Sequence, residues 1–147
     1  MANKTCLLIG ALVLALYAVG HTEDSLQTRF GLVETDHSSP DAFYIDAITV
    51  DGKPVFKEED MIVSLHKKLE MGVRDVVLFG TNCGGTACTF DYLHFLVLQK
   101  GTTPKVVDDK NFFSEVGIVK PNVEKNRIVV DLGFDGGKRK TAYYDGE

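Results

Sequence analysis

The sequence predicts a mainly β protein, an antiparallel meander, sandwich or small barrel, with one disulfide inside a loop. Three observations lead there. Turn signals recur at short intervals, at Asp51-Gly52, Gly80-Thr81-Asn82, Lys100 to Pro104 and Gly133 to Gly137. Between them lie runs of β-branched and aromatic residues, such as Asp75 to Phe79 and Arg127 to Leu132. Two cysteines, Cys83 and Cys88, are separated by four residues in a Gly-containing segment.

The chain opens with an address. Met1 to Cys6 carries one cation, Lys4, and Leu7 to Val19 is an unbroken apolar run. Ala18-Val19-Gly20 offers small residues before polar His21-Thr22-Glu23-Asp24. These are the n-region, h-region and cleavage site of a secretory signal peptide. A run of thirteen apolar residues is short beside the roughly 20 that a spanning helix needs. A buried core helix fits poorly too, because the polar stretch that follows gives it nothing to pack on. The expectation is a signal peptide over 1–20, cleaved after Gly20, and a secreted or periplasmic protein.

Cleavage removes one basic residue and no acidic one, taking the formal charge from −5 to −6. A mildly acidic surface argues against nucleic acid and against anionic membranes. No later segment is long and apolar enough to span a bilayer. Cleavage also discards Cys6, leaving Cys83 and Cys88 as an even pair bound for an oxidising compartment. A bridge between them would contribute about 2 kcal/mol by the chain-entropy argument.

Residues 21–41 read as an extended leader, polar and without periodicity, in which only Phe30, Leu32 and Val33 could anchor. Residues 42–147 then form a single β-rich domain. Ala42 to Val50 is a strand, and Asp51-Gly52 turns it into a hairpin. Pro54 makes the return strand short or places it at an edge. Glu58 to Met71 is ambiguous. Met61, Leu65 and Leu69 keep helical spacing, which leaves an α+β fold with one helix at 58–71 as the alternative. Met61, Val63, Leu65, Leu69 and Met71 also alternate, with Lys67 the single misfit, and a strand is preferred. Asp75 to Phe79 is a strand, ended by Gly80-Thr81-Asn82. Tyr92 to Leu98 is apolar at nearly every position and should be a central strand buried on both faces. Lys105-Val106-Val107 and Val116 to Val119 are short strand candidates, Arg127 to Leu132 is a strand, and Lys138 to Tyr144 is its hairpin partner.

Four constellations invite a functional reading. The loop around Cys83 and Cys88 offers Asn82, Gly84, Gly85 and Thr86 as a candidate binding loop, whose backbone N–H groups could meet an anion or a partner's carbonyls. The bland reading is a stapled turn. The C-x4-C spacing is not the C-x-x-C of redox enzymes, and two cysteines make only half a zinc site. Lys138, Arg139 and Lys140 form a basic cluster on an acidic protein, a candidate contact patch or a solvated edge strand. Gly133 to Thr141 departs from a phosphate loop, with Leu132 at the first glycine position and Arg139 in place of Ser or Thr. His66 and His94 lie within strands and, with a carboxylate, would be the suspects in an enzyme or small-ligand carrier. No motif calls for a cofactor or a metal.

Asp75-Val76-Val77-Leu78, then Cys83-Gly84-Gly85-Thr86-Ala87-Cys88, then Tyr143-Tyr144-Asp145-Gly146 resemble small bacterial secreted β-proteins with a G-G-x-A-C loop. In those proteins a strand runs into that loop and a Tyr-x-Tyr-Asp-Gly-like ending closes the domain. This chain has its tyrosines adjacent. The resemblance spans Met61 to the C-terminus, implies a mainly β fold, and carries no activity. The function expected is therefore a non-enzymatic binding protein whose partner is another protein, an inhibitor or immunity-type protein acting on a hydrolase being one form.

Overall fold

The computed structural model of the chain describes residues 24–37, 45–59, 61–84, 91–114 and 120–146. Within them, eleven strands build three antiparallel sheets and no helix. Strands β1 (Ser25–Thr28), β2 (Gly31–Asp36), β3 (Ile45–Val50) and β4 (Lys53–Glu59) form the first sheet in that order. The second holds β5 (Ile62–Met71), β6 (Arg74–Asn82), β7 (Asp91–Gln99) and β8 (Lys105–Ser114), again in chain order. The third holds β9 (Lys120–Glu124), β10 (Arg127–Asp135) and β11 (Lys138–Tyr144), with β10 in the middle. Each is a meander of sequential neighbours. None closes on itself, so the barrel alternative falls and the helix at 58–71 is replaced by β5.

The second sheet is the middle layer. One core unites its Val63, Leu65, Val77, Phe79, Leu96 and Leu98 with Val33, Ile48 and Val50 of the first sheet. The other core unites its Leu69, Met71, Val76, Leu78, Leu93, Phe95 and Val97 with Ile128, Val130, Leu132, Ala142 and Tyr144 of the third. Successive residues of β6 and β7 therefore enter different cores, as side chains on a pleated strand must. This is why β6 and β7 carry no polar alternation, and why Tyr92 to Leu98 reads as apolar throughout. Each fully buried aliphatic or Phe side chain contributes about 1.5–3 kcal/mol. Phe79, Phe95, Leu78 and Leu96 anchor the two cores from the centre.

Strand β5 serves both cores by a different device. Leu65 pairs with Phe79, but Lys67, not His66, pairs with Leu78, because a bulge intervenes. One extra residue reverses the inside–outside parity. Val63 and Leu65 face the first sheet, whereas Leu69 and Met71 face the third. The misfit of Lys67 in the apolar alternation marks that reversal.

The turns follow the expected chemistry. Asp51 and Gly52 both have positive φ (49° and 74°), and Val50 pairs directly with Lys53. That is the two-residue hairpin turn whose twist matches its strands. Pro54 sits at an irregular pairing on β4, an edge strand.

Residues 25–36 correct the extended-leader expectation. They form β1 and β2, and Val33 is fully buried. Two long-range contacts hold this hairpin to the middle layer. The Arg29 backbone N–H and Nε donate to the two carboxylate oxygens of Asp75, each at 2.7 Å, and Nη2 donates to the Arg74 carbonyl. Asp75 has no exposed surface. On β3, the buried Asp46 carboxylate accepts the Val63 N–H at 2.9 Å and lies 3.1 Å from His37 Nδ1. The signal-peptide segment 1–20 lies outside the described residues.

Candidate functional site

The ends of β6 and β7 bring several of the sequence-singled residues together. Asn82 closes β6 and Asp91 opens β7, each one residue beyond the Thr81–Tyr92 pair of the same sheet. The Asn82 side chain spans two neighbours. Its Oδ1 accepts the Gly84 N–H at 2.8 Å, and its Nδ2 donates to Asp91 Oδ1 at 3.1 Å. One amide thus ties the outgoing and incoming stems of the 83–90 loop. Gly84 lies against Ile62 of β5, where an added Cβ would stand 2.7 Å from Ile62 Cδ1. Gly85, Thr86 and Cys88 lie outside the described residues, and with Cys88 so does the pairing of Cys83 with it.

His66, the residue inserted by the bulge, projects over Gly80. A Cβ built on Gly80 would come within 2.6 Å of His66 Nε2. Glycine at position 80 therefore leaves the place that the imidazole occupies. Nε2 lies 3.9 Å from Asp91 Oδ2 and makes no hydrogen bond among the described residues. Burial pushes the imidazole pKa below its ordinary value, and the Asp91 charge only partly offsets that. His66 is thus held as a neutral ring beside the carboxylate that Asn82 engages.

His94 lies on the opposite face. It pairs across the strands with Phe79 and stacks on that ring at 4.8 Å between centroids, with Phe56 at 5.4 Å. Its Nε2 is 2.9 Å from Thr81 Oγ1, and only 4 % of the residue is exposed. Gly80, against which His66 rests, alternates with Phe79 and Thr81 along β6, so the two histidines are separated by the sheet itself. The expected site assembled around both does not form. Among the described residues, no three His, Cys, Asp or Glu side chains gather closely enough to hold a metal ion.

The basic cluster on β11 is an edge-strand feature, as its composition suggests. Arg139 is ion-paired with Asp131 of β10. That guanidinium and the Gly133 N–H hold the Asp131 carboxyl below its usual range, and the same pair raises Arg139 further. Lys138 is exposed and Lys140 half-buried.

Three participants escaped the sequence reading. Asp91 carries a weak signal, as the last polar residue before the apolar run of β7. Gly80 reads as a strand terminator, yet β6 continues through it to Asn82. Arg29 carries no signal, because its partner Asp75 is 46 residues away.

The chain matches no protein-family model, no curated protein and no solved structure.

Proposed function

We propose that this is an exported, non-enzymatic binding protein that presents the 83–88 loop to another protein, in the secreted or periplasmic space. A hydrolase inhibited or neutralised by the loop is the concrete form of that partner. The carrying observation is the Asn82 side chain, which hydrogen-bonds to Gly84 on one stem and to Asp91 on the other. A loop fastened at its base loses less conformational freedom on binding, which favours affinity. A bridge between Cys83 and Cys88 would fasten it again within the loop, in keeping with an oxidising compartment. The apolar run before Gly20 supports export, and with it a partner met outside the cytoplasm.

The test is site-specific photocrosslinking in the exporting cell. A photoreactive residue replaces Thr86 in one variant and Lys53 in another. Lys53 neighbours Leu98 and Gln99, at the far end of β7 from Asp91. A discrete protein adduct from position 86, absent from position 53 and weakened in Cys83→Ser/Cys88→Ser, is the expected result. The same adducts from both positions, or none from position 86, would overturn the proposal. Mass analysis of alkylated protein with and without reductant checks the bridge.

A further inference from the structure

The outer face of the third sheet combines aromatic and polar groups in a way the loop proposal does not use. Inward residues of β10 and β11, among them Ile128, Val130, Ala142 and Tyr144, fill the core. Their neighbours point outward. Tyr143 is 50 % exposed and Phe134 67 % exposed, and the bulge between Asp131 and Gly133 sets Phe134 opposite Arg139. Tyr143 lies four residues along β11 from Arg139, so the two aromatic positions share one face of the sheet about 14 Å apart along the strands. The Arg127 guanidinium lies 5.0 Å from the Tyr143 ring centroid and fixes that ring on the sheet.

Beside these rings runs a groove of about 630 Å³ lined in part by Asn122, Glu124, Asp131 and Arg139, with Lys67 at its edge. Neither ring lines it, but each is the cross-strand partner of a residue that does, Tyr143 of Val129 and Phe134 of Arg139. The charges on this face largely cancel. Arg139 pairs with Asp131, and Arg127 lies 3.8 Å from Glu124. A charged partner would gain little from such a surface. What persists is hydrogen-bonding capacity in planar groups: carboxylates keep further acceptor sites, guanidinium keeps further N–H donors, and the Asn122 amide offers both.

We propose that this face binds a neutral polysaccharide. A sugar ring presents C–H groups on its faces and hydroxyls around its edge. The C–H face matches an exposed aromatic ring, by dispersion and by exclusion of water. The hydroxyls match a groove holding donors and acceptors in fixed, mutually neutralised pairs. Two rings spaced along one surface suit a linear chain of several sugars better than a single one. This site is separate from the 83–88 loop and does not depend on that loop's role.

Affinity electrophoresis tests the proposal. The mature protein is run through native gels containing soluble β-glucan, xylan, glucomannan or glycol chitin, with heparin as the charged comparison. At least one neutral polymer should retard it, and 0.5 M salt should leave that retardation in place, since no net charge drives it. Phe134→Ala and Tyr143→Ala should each weaken binding at least tenfold, whereas Tyr143→Phe should keep it. Both rings are exposed, and an unchanged melting temperature in each variant verifies the fold. Retardation by none of the neutral polymers would overturn the proposal. So would binding to heparin alone that salt abolishes, or equal binding by wild type and both alanine variants.

Discussion

Gly80→Ala should destabilise this protein, against the ordinary effect of that substitution in a strand. Glycine inside a strand normally costs about 0.5–1 kcal/mol relative to alanine, so propensity alone predicts a gain. Here the new Cβ would stand 2.6 Å from His66 Nε2, where ordinary contact begins near 3.4 Å. Asp91 Cβ, at 3.4 Å, is already tolerable. The imidazole must retreat, but it issues from a bulge and is largely buried. Overpacking of this kind costs about 1–3 kcal/mol. Subtracting the propensity gain leaves a net loss of about 0–2.5 kcal/mol, centred a little above 1 kcal/mol. Urea unfolding of wild type, Gly80→Ala, His66→Ala and the double variant measures it. In the His66→Ala background the clash is gone, and Gly80→Ala should become neutral or stabilising. The coupling between the two sites should therefore exceed about 1 kcal/mol, whereas independent sites add within about 0.5 kcal/mol. Additive effects, or stabilisation by Gly80→Ala alone, would refute the placement of the imidazole over residue 80.

The same histidine predicts a pH dependence. Its folded-state pKa lies below the ordinary 6.5, so the unfolded chain binds the proton more readily. Unfolding free energy should consequently fall as pH drops from about 6.5 through the folded-state value. The fall should be shallower in His66→Gln, and coincident slopes between pH 7 and 5 would contradict the desolvated ring. At the other end of the molecule, Arg29→Ala should lower the melting temperature more than Asp75→Asn. The first strands a carboxylate with no exposed surface, while the second removes that charge and keeps an acceptor. The opposite order in thermal scans would show that Asp75 does not depend on Arg29.

How legible each part was depends on the range of the forces that shape it. The hairpin at Asp51-Gly52 and strand β11 at Lys138–Tyr144 were readable, because turn chemistry and strand pairing act between near neighbours. The central position of Tyr92 to Leu98 was readable because burial on both faces removes polar alternation. Strands β1 and β2 were not. They offer few apolar residues, and their place is set by Arg29 meeting Asp75 and Val33 meeting the middle sheet. Strand β9 was missed because Lys120–Glu124 includes a proline, which an edge position tolerates. At the candidate site, Asn82 and Gly84 were visible as turn residues, whereas the role of Asp91 arises only once β6 and β7 pair. The outward aromatics were hidden for a similar reason: Tyr143 and Tyr144 are adjacent in sequence, and only the pleat sends one to solvent and the other to the core.

The bulge at His66 joins the fold problem to the site problem. A strand at the edge of the middle sheet must cover the first sheet at one end and the third at the other. Strict alternation cannot do this with Val63, Leu65, Leu69 and Met71, which all share one parity. One inserted residue resolves the conflict, and the residue inserted must send its side chain somewhere. Gly80 supplies the room across the strand, and the imidazole ends beside the Asp91 carboxylate that Asn82 uses to fasten the loop stem. Deleting His66 would thus do two things at once. It would close the bulge into regular pairing, leaving Val63, Leu65, Leu69 and Met71 on their present partners and faces, and it would empty the space beside Asp91. Replacing His66 with alanine keeps the spacer and removes only the ring. The pairing of β5 therefore does not depend on a residue at position 66, and what the histidine adds is a ring over Gly80 beside the Asp91 carboxylate of the loop stem.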